Sequence, residues 1–122
     1  MKHLSNWIEI PVADMDRARA FYGKILQADL PPVMDLAGNQ YSLFPSEDRF
    51  NCGALARGEG YVPSAQGVTV YLDGGDDLDH VLSRVKKAGG TVVLPKTYLG
   101  KDAGHIGLFL DTEGNRIGLQ SM

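Results

Sequence analysis

The stretch Phe109-Leu110-Asp111-Thr112-Glu113-Gly114-Asn115-Arg116-Ile117-Gly118-Leu119-Gln120 sets two short apolar runs on either side of a polar turn. It reads as a β-hairpin, because Gly114-Asn115 supplies residues that tolerate positive φ and the flanking side chains alternate with period two. The alternation predicts one apolar face, made of Ile106, Leu108 and Leu110 with Ile117 and Leu119. The opposite face then carries His105, Gly107 and Phe109 with Arg116, Gly118 and Gln120, a mixture of aromatic, polar and empty positions that suits a cavity wall.

The chain around this hairpin has 122 residues, enough to bury a core without metal or disulfide staples. Its 12 basic and 15 acidic side chains give a formal charge of -3 with no basic run, so neither nucleic acid nor an anionic membrane is an electrostatically favoured partner. The N-terminal residues carry no apolar signal core and no run of apolar residues is long enough to cross a membrane, which predicts a soluble cytoplasmic protein. The single Cys52 has no disulfide partner and sits in an apolar strand pattern, which reads as core rather than nucleophile.

Upstream, Trp7 to Val12 alternates as a strand with Ile8, Ile10 and Val12 on one face and Trp7, Glu9 and Pro11 on the other. Asp14 is placed to cap a helix from about Met15 to Leu26, whose Met15, Ala18, Tyr22, Ile25 and Leu26 recur at helical spacing. Further strands are expected at Tyr41–Phe44 and Cys52–Ala56, with a polar loop from Pro45 to Asn51 between them. A Gly, Pro and Ser-rich segment from Arg57 to Gln66 reads as a linker. Beyond it the pattern recurs: a strand Val68–Leu72, a helix capped by Asp76 or Asp77 and stopped by Gly89-Gly90, a strand Thr91–Leu94, a glycine-bounded loop after Pro95-Lys96, and the hairpin. Asp14-Met15-Asp16 is echoed 63 positions later by Asp77-Leu78-Asp79. The unit is βαβββ used twice. The expected fold is therefore α+β: a first module over residues 1–56, a linker over 57–66 and a second module over 67–122, with a curved mixed sheet around a cup and the helices outside. The cup lining expected from the residues that do not face the helices is Trp7, Glu9, Thr69, Tyr71, Phe109, Arg116 and Gly118, with Tyr41 or Phe44.

Three segments carry a resemblance to a known family: Ile10-Pro11-Val12-Ala13-Asp14-Met15-Asp16-Arg17-Ala18-Arg19-Ala20-Phe21-Tyr22, Ala88-Gly89-Gly90-Thr91-Val92-Val93-Leu94-Pro95-Lys96, and Asp111-Thr112-Glu113-Gly114-Asn115-Arg116-Ile117. Through them the chain resembles the vicinal oxygen chelate superfamily of glyoxalase I, bleomycin-resistance proteins and extradiol dioxygenases, most of all its small glyoxalase-related bacterial members. The resemblance implies a divalent metal at the cup floor, held by His, Gln or Glu on the first strand of each module and on later strands. This chain departs from that pattern: the first-strand ligand position is Trp7, its counterpart is Thr69 or Val70, and the usual hairpin glutamate is Gly118. No metal ligand is assigned, and no cofactor is expected. Zinc, nickel, iron or manganese enters only if ligands lie elsewhere.

Glu9 is the one carboxylate expected to point into the cup, either as a general acid or base or as a strand carboxylate paired with Arg116 or another base. Trp7, Tyr71 and Phe109 offer stacking surfaces, and Gly118 offers space where the family has a side chain. Lys96 is read as covering the cup mouth or as a solvated strand end, and Asp111 and Asn115 as turn residues. Three function classes follow: a metal-free small-molecule binding protein, a metal-dependent lyase, isomerase or dioxygenase, or a structural protein with a collapsed cup. Because small members of the resembled family pair modules from different chains, a homodimer is expected.

Overall fold

The computed structural model describes residues 3–47 and 52–122, so residues 48–51 of the expected Pro45–Asn51 loop lie outside the described residues. The first module runs β1 (Ile8–Pro11), α1 (Met15–Leu26), β2 (Met34–Leu36), β3 (Asn39–Leu43) and β4 (Gly53–Arg57). The second runs β5 (Tyr71–Asp73), α2 (Leu78–Lys87), β6 (Thr91–Gly100), β7 (Gly104–Leu110) and β8 (Arg116–Ser121). Each builds a four-stranded mixed sheet, ordered β1-β4-β3-β2 and β5-β8-β7-β6, with its first strand parallel to its last and the remaining pairs antiparallel. The topology is the α+β repeat of two βαβββ units, in two sheets that do not close on each other.

The helices start and stop where local chemistry dictates. The Asp14 carboxylate accepts the Arg17 N–H at 3.0 Å, and Asp77, rather than Asp76, accepts the Asp79 N–H at 3.0 Å, each filling an otherwise orphaned donor of a first turn. At the end of α2 the Gly89 N–H reaches the Lys86 carbonyl and the Gly90 N–H the Val85 carbonyl, with Gly89 at φ 103°. That paired pattern needs a left-handed residue, which glycine adopts without strain. The equivalent bend after α1 is made by Gln27 at φ 50°, a side-chain-bearing residue in the same region.

Both helices bury their apolar stripes in one shared core of Met15, Ala18, Phe21, Tyr22, Ile25, Leu78, Val81, Leu82 and Val85, joined by Ile10, Leu55, Phe109, Ile117 and Leu119. Phe21 of α1 touches Phe109 of the second sheet at 5.8 Å between ring centroids, and Tyr22 packs edge-on to Phe44 of its own module. The modules thus join through helix-bearing faces, and the opposite face of each sheet is turned outward.

Four expectations are corrected here. Five residues, Asp111 to Asn115, separate β7 from β8, so Phe109 pairs with Ile117 and Leu108 with Gly118. An odd loop places odd residues opposite odd residues, so Phe109 and Gly107 share the core face with Ile117 and Leu119, while Ile106, Leu108 and Leu110 look outward. Phe109 is fully buried and does not line a cup. Phe44 likewise belongs to the core. The expected loop after Pro95 is instead a continuation of β6 to Gly100. Being at a sheet edge, β6 tolerates the missing proline N–H, and its register shifts against β7 between Val92 and Leu94, Leu94 and Thr97, and Tyr98 and Gly100. The expected strand Val68–Leu72 starts late, at Tyr71: the Val70 carbonyl still accepts the Gly118 N–H at 2.8 Å, but Val68 is 91% exposed.

The five-residue turn fastens one module to the other. The Asp111 carboxylate accepts the Tyr22 hydroxyl at 2.6 Å, the Asn115 amide at 3.0 Å and the backbone N–H groups of Glu113 and Asn115. Burial first, and then the negative charge of Asp111, hold the Tyr22 hydroxyl well above its ordinary pKa, so it stays a donor. The Asn115 side chain donates to the Pro11 carbonyl at 2.8 Å and accepts the Ser64 N–H at 3.0 Å. Glu113, its side chain fully buried, accepts the N–H groups of Ala13 and Asp14 and pairs with Arg17 at 2.7 Å. Burial pushes the Glu113 carboxyl up, but the bonds from Arg17, Asp14, Ala13 and Thr112 outweigh it and bring it from 4.5 down to about 2.

A carboxyl depressed in the folded state stabilises above its unfolded pKa and loses that contribution as pH falls. Urea unfolding should therefore show stability declining between pH 4.5 and about 2, and Glu113→Gln should flatten that decline while costing roughly 2 kcal/mol at neutral pH. Gln27→Gly should act in the other direction, raising stability by about 1 kcal/mol in the same assay because it removes the left-handed strain after α1.

Candidate functional site

On the outward face of the first sheet, Glu9 sits at the end of a hydrogen-bonded chain. Its carboxylate accepts the Trp7 indole N–H at 3.2 Å and the Tyr61 hydroxyl at 2.7 Å. Because Tyr61 spends its proton on Glu9, the 3.4 Å contact between the Tyr61 and Tyr41 hydroxyls has Tyr41 as donor, and Tyr41 in turn accepts the Asn39 side-chain N–H at 3.3 Å. Bonds aligned in one direction polarise one another and fix the rings. The Tyr61 and Tyr41 rings stand nearly perpendicular, at 87°. Lying between Tyr41 and the carboxylate of Glu9, to which it donates, the Tyr61 hydroxyl has a raised pKa and stays protonated. Between β1 and β3 lies β4, whose Ala54 and Ala56 are fully buried although they pair with the outward residues Glu9 and Tyr41.

Glu9 thus takes its bonds from neutral donors, and the pairing with Arg116 weighed above is absent. Tyr61 was not among the expected site residues, since it lies in the linker. The available signal was a lone large aromatic between Gly58, Gly60 and Pro63, where a solvated linker has no use for one.

On the outward face of the second sheet, Tyr71 lies across from Gly118. The space expected to be free at Gly118 is taken by Tyr71: a Cβ there would run into the phenol ring. Tyr71 remains 47% exposed, with its other ring face available. Arg116 donates to the Thr69 hydroxyl at 2.8 Å, which orients the guanidinium along the sheet edge. Beside Tyr71 an open groove of about 920 Å³ is lined by Ile106, Leu99, Gln120, Asp73 and Met122. Its chemistry is an aromatic ring, aliphatic walls and a few polar ends, the usual make-up of a small-molecule site. Lys96 is elsewhere. Its ammonium lies 3.1 Å from Asp77 and 3.0 Å from Asp79 at the start of α2, and these bonds, to Asp79 and then Asp77, raise its pKa.

Among the described residues no group of three or more His, Cys, Asp or Glu side chains comes together to hold a metal ion. The resembled ligand positions carry Trp7, Thr69 or Val70, and Gly118, which offer neither imidazole nor carboxylate, so this donor set does not fit a divalent metal. Cys52 is half-buried, its thiol directed at the Phe44 carbonyl at 3.9 Å. No described helix is long and apolar enough to cross a membrane.

Comparison with known proteins agrees with this geometry. UcmS2 superposes with a TM-score of 0.72 at 22% identity, covering 100% of both chains. TnmS3, an antibiotic binding protein from Streptomyces sp. CB03234, gives 0.63 at 20% identity over 98% of this chain and 95% of its own. Glyoxalase I from Zea mays gives 0.64 at 20% identity, this chain spanning 45% of its length. These likenesses are of fold. No curated protein sequence matches the chain. The sequence model of the Glyoxalase/Bleomycin resistance protein/Dioxygenase superfamily matches residues 4–119, nearly the whole length, and the chain belongs to that superfamily.

Proposed function

We propose that this protein is a metal-free binding protein for a flat, largely apolar small molecule, held in the groove beside Tyr71 and enclosed by a second copy of the chain. The observation that carries the reading is the substitution of stacking surface for metal donors: Trp7 stands at the first-strand ligand position, and Tyr71 covers the site of the hairpin glutamate at Gly118. A ring bound on the free face of Tyr71 and against Leu99 and Ile106 gains stacking and burial without any coordinating group. The antibiotic binding activity in the name of TnmS3 is compatible with the same mode here. A dimer would remove from water the outward apolar side chains Trp7, Leu36, Tyr71, Val93, Tyr98 and Leu99, each at least 41% exposed.

Burying about 200 Å² of apolar ligand surface is worth about 5 kcal/mol before association costs, which by itself places the affinity in the range of tenths of a millimolar or weaker. A titration of polycyclic aromatic compounds followed by ligand fluorescence should show saturable binding, and the surface substitution Leu99→Asp should abolish it without lowering the melting temperature. Absence of binding across the panel, or binding indifferent to Leu99→Asp, refutes the groove as the site. Native mass spectrometry of the purified protein should give twice the 13.2 kDa chain mass with no bound metal. A monomer contradicts the enclosure by a second copy. One tightly held zinc, nickel, iron or manganese per chain would return the protein to the metal-dependent lyase, isomerase or dioxygenase class.

A further inference from the structure

The crevice where the first module's β1 edge meets the second module's β8 brings two opposite charges to one small cavity. Glu9 and Arg116 both line a space of about 280 Å³ whose walls between them include Pro11, Val70 and Ile117, with Val62 of the linker at its rim. The two charges do not reach each other. Among the described residues, ion pairs join Arg17 to Glu113 and Lys96 to Asp77 and Asp79, and neither Glu9 nor Arg116 takes part in one. Each is instead held in place by neutral groups, Glu9 by Trp7 and Tyr61, and Arg116 by Thr69. A carboxylate has about four acceptor positions and a guanidinium five donors, so both keep bonding capacity to spare after those contacts.

A purely cationic guest at Glu9 would meet Arg116, and a purely anionic guest at Arg116 would meet Glu9. A molecule carrying both charges satisfies both ends, with an apolar middle against Pro11, Val70 and Ile117. The volume falls just under the roughly 300–1,000 Å³ of ordinary small-molecule sites, which limits the guest to amino-acid size. We propose that this crevice binds a small zwitterion, its ammonium at Glu9 and its carboxylate at Arg116. The site lies within one chain and apart from the groove beside Tyr71, so it stands whether or not the groove binds an aromatic ligand.

Trp7 is the only tryptophan and bonds directly to Glu9, so its emission reports the ammonium end. The full-length protein is titrated with free L-proline, L-valine and glycine betaine, and with the amide and N-acetyl forms of the two amino acids, by Trp7 emission and by calorimetry. The zwitterions should bind saturably at millimolar concentration or tighter, and removing either charge should weaken binding roughly tenfold or more. Glu9→Gln should erase the preference for the free amine over its N-acetyl form, and Arg116→Gln the preference for the carboxylate over its amide. Leu99→Asp should leave the zwitterion titration as it is, which separates failure here from failure of the groove. If no zwitterion gives heat or an emission change, if the derivatives bind as well as the parents, or if both charge variants melt normally and bind unchanged, the crevice is not a zwitterion site.

Discussion

The buried carboxylate of Asp111 is the constraint on which the arrangement of the molecule rests. It is 6% exposed and has no basic partner among the described residues, so it is tolerable only with its hydrogen bonds filled, and Tyr22, Asn115 and two backbone N–H groups fill them. Tyr22 belongs to the first module and Asp111 to the second, so satisfying the carboxylate requires the two to be docked. Glu113 adds a second such requirement two residues on, reaching the backbone at the start of α1. Replacing Tyr22 by phenylalanine would leave Asp111 short of a donor in a buried place, a cost of the unsatisfied-group kind and larger than the loss of one hydrogen bond.

Docking in this manner decides what is left for binding. With α1 and α2 against each other and the core shared between the modules, the expected lining residues other than Phe109 and Phe44 are left on the outward side of the sheets. The same turn positions the crevice: Asn115 holds the Pro11 carbonyl on one side and the Ser64 N–H on the other, bringing the β1 edge and the linker to within reach of Arg116. Structural clamp and candidate site are thus adjacent parts of one hairpin, the loop serving the first and the β8 strand the second.

Much of this was legible from residue order. Both helices, Asp14 as a cap and the doubled βαβββ unit follow from periodicity and turn chemistry, because those signals are local. What escaped was decided by counting or by distance. The outward or inward aspect of Phe109 depends on whether the hairpin loop holds an even or an odd number of residues, and Gly114-Asn115 alone does not reveal that the loop begins at Asp111. Asp111 and Asn115 were recognisable as turn formers, yet their bonds to Tyr22 and Pro11 span 89 and 104 residues of sequence, beyond any local pattern. Tyr61 was hidden for the same reason: its partners Tyr41 and Glu9 lie 20 and 52 residues away.

Gly118 shows how an empty position in sequence differs from an empty position in space. A glycine where the resemblance implies a glutamate suggests a void, but the adjacent strand answers with Tyr71, whose ring occupies the volume. The two residues are a unit. A glutamate side chain at 118 would have to displace the ring, and a smaller residue at 71 would uncover the glycine, so a coordinating residue at 118 requires a change at 71 as well. Filling the position with a polarisable ring rather than leaving it open keeps the sheet packed while about half of Tyr71 stays exposed. The absence of a side chain at 118 and the presence of a ring at 71 are therefore coupled, read at two residues on neighbouring strands.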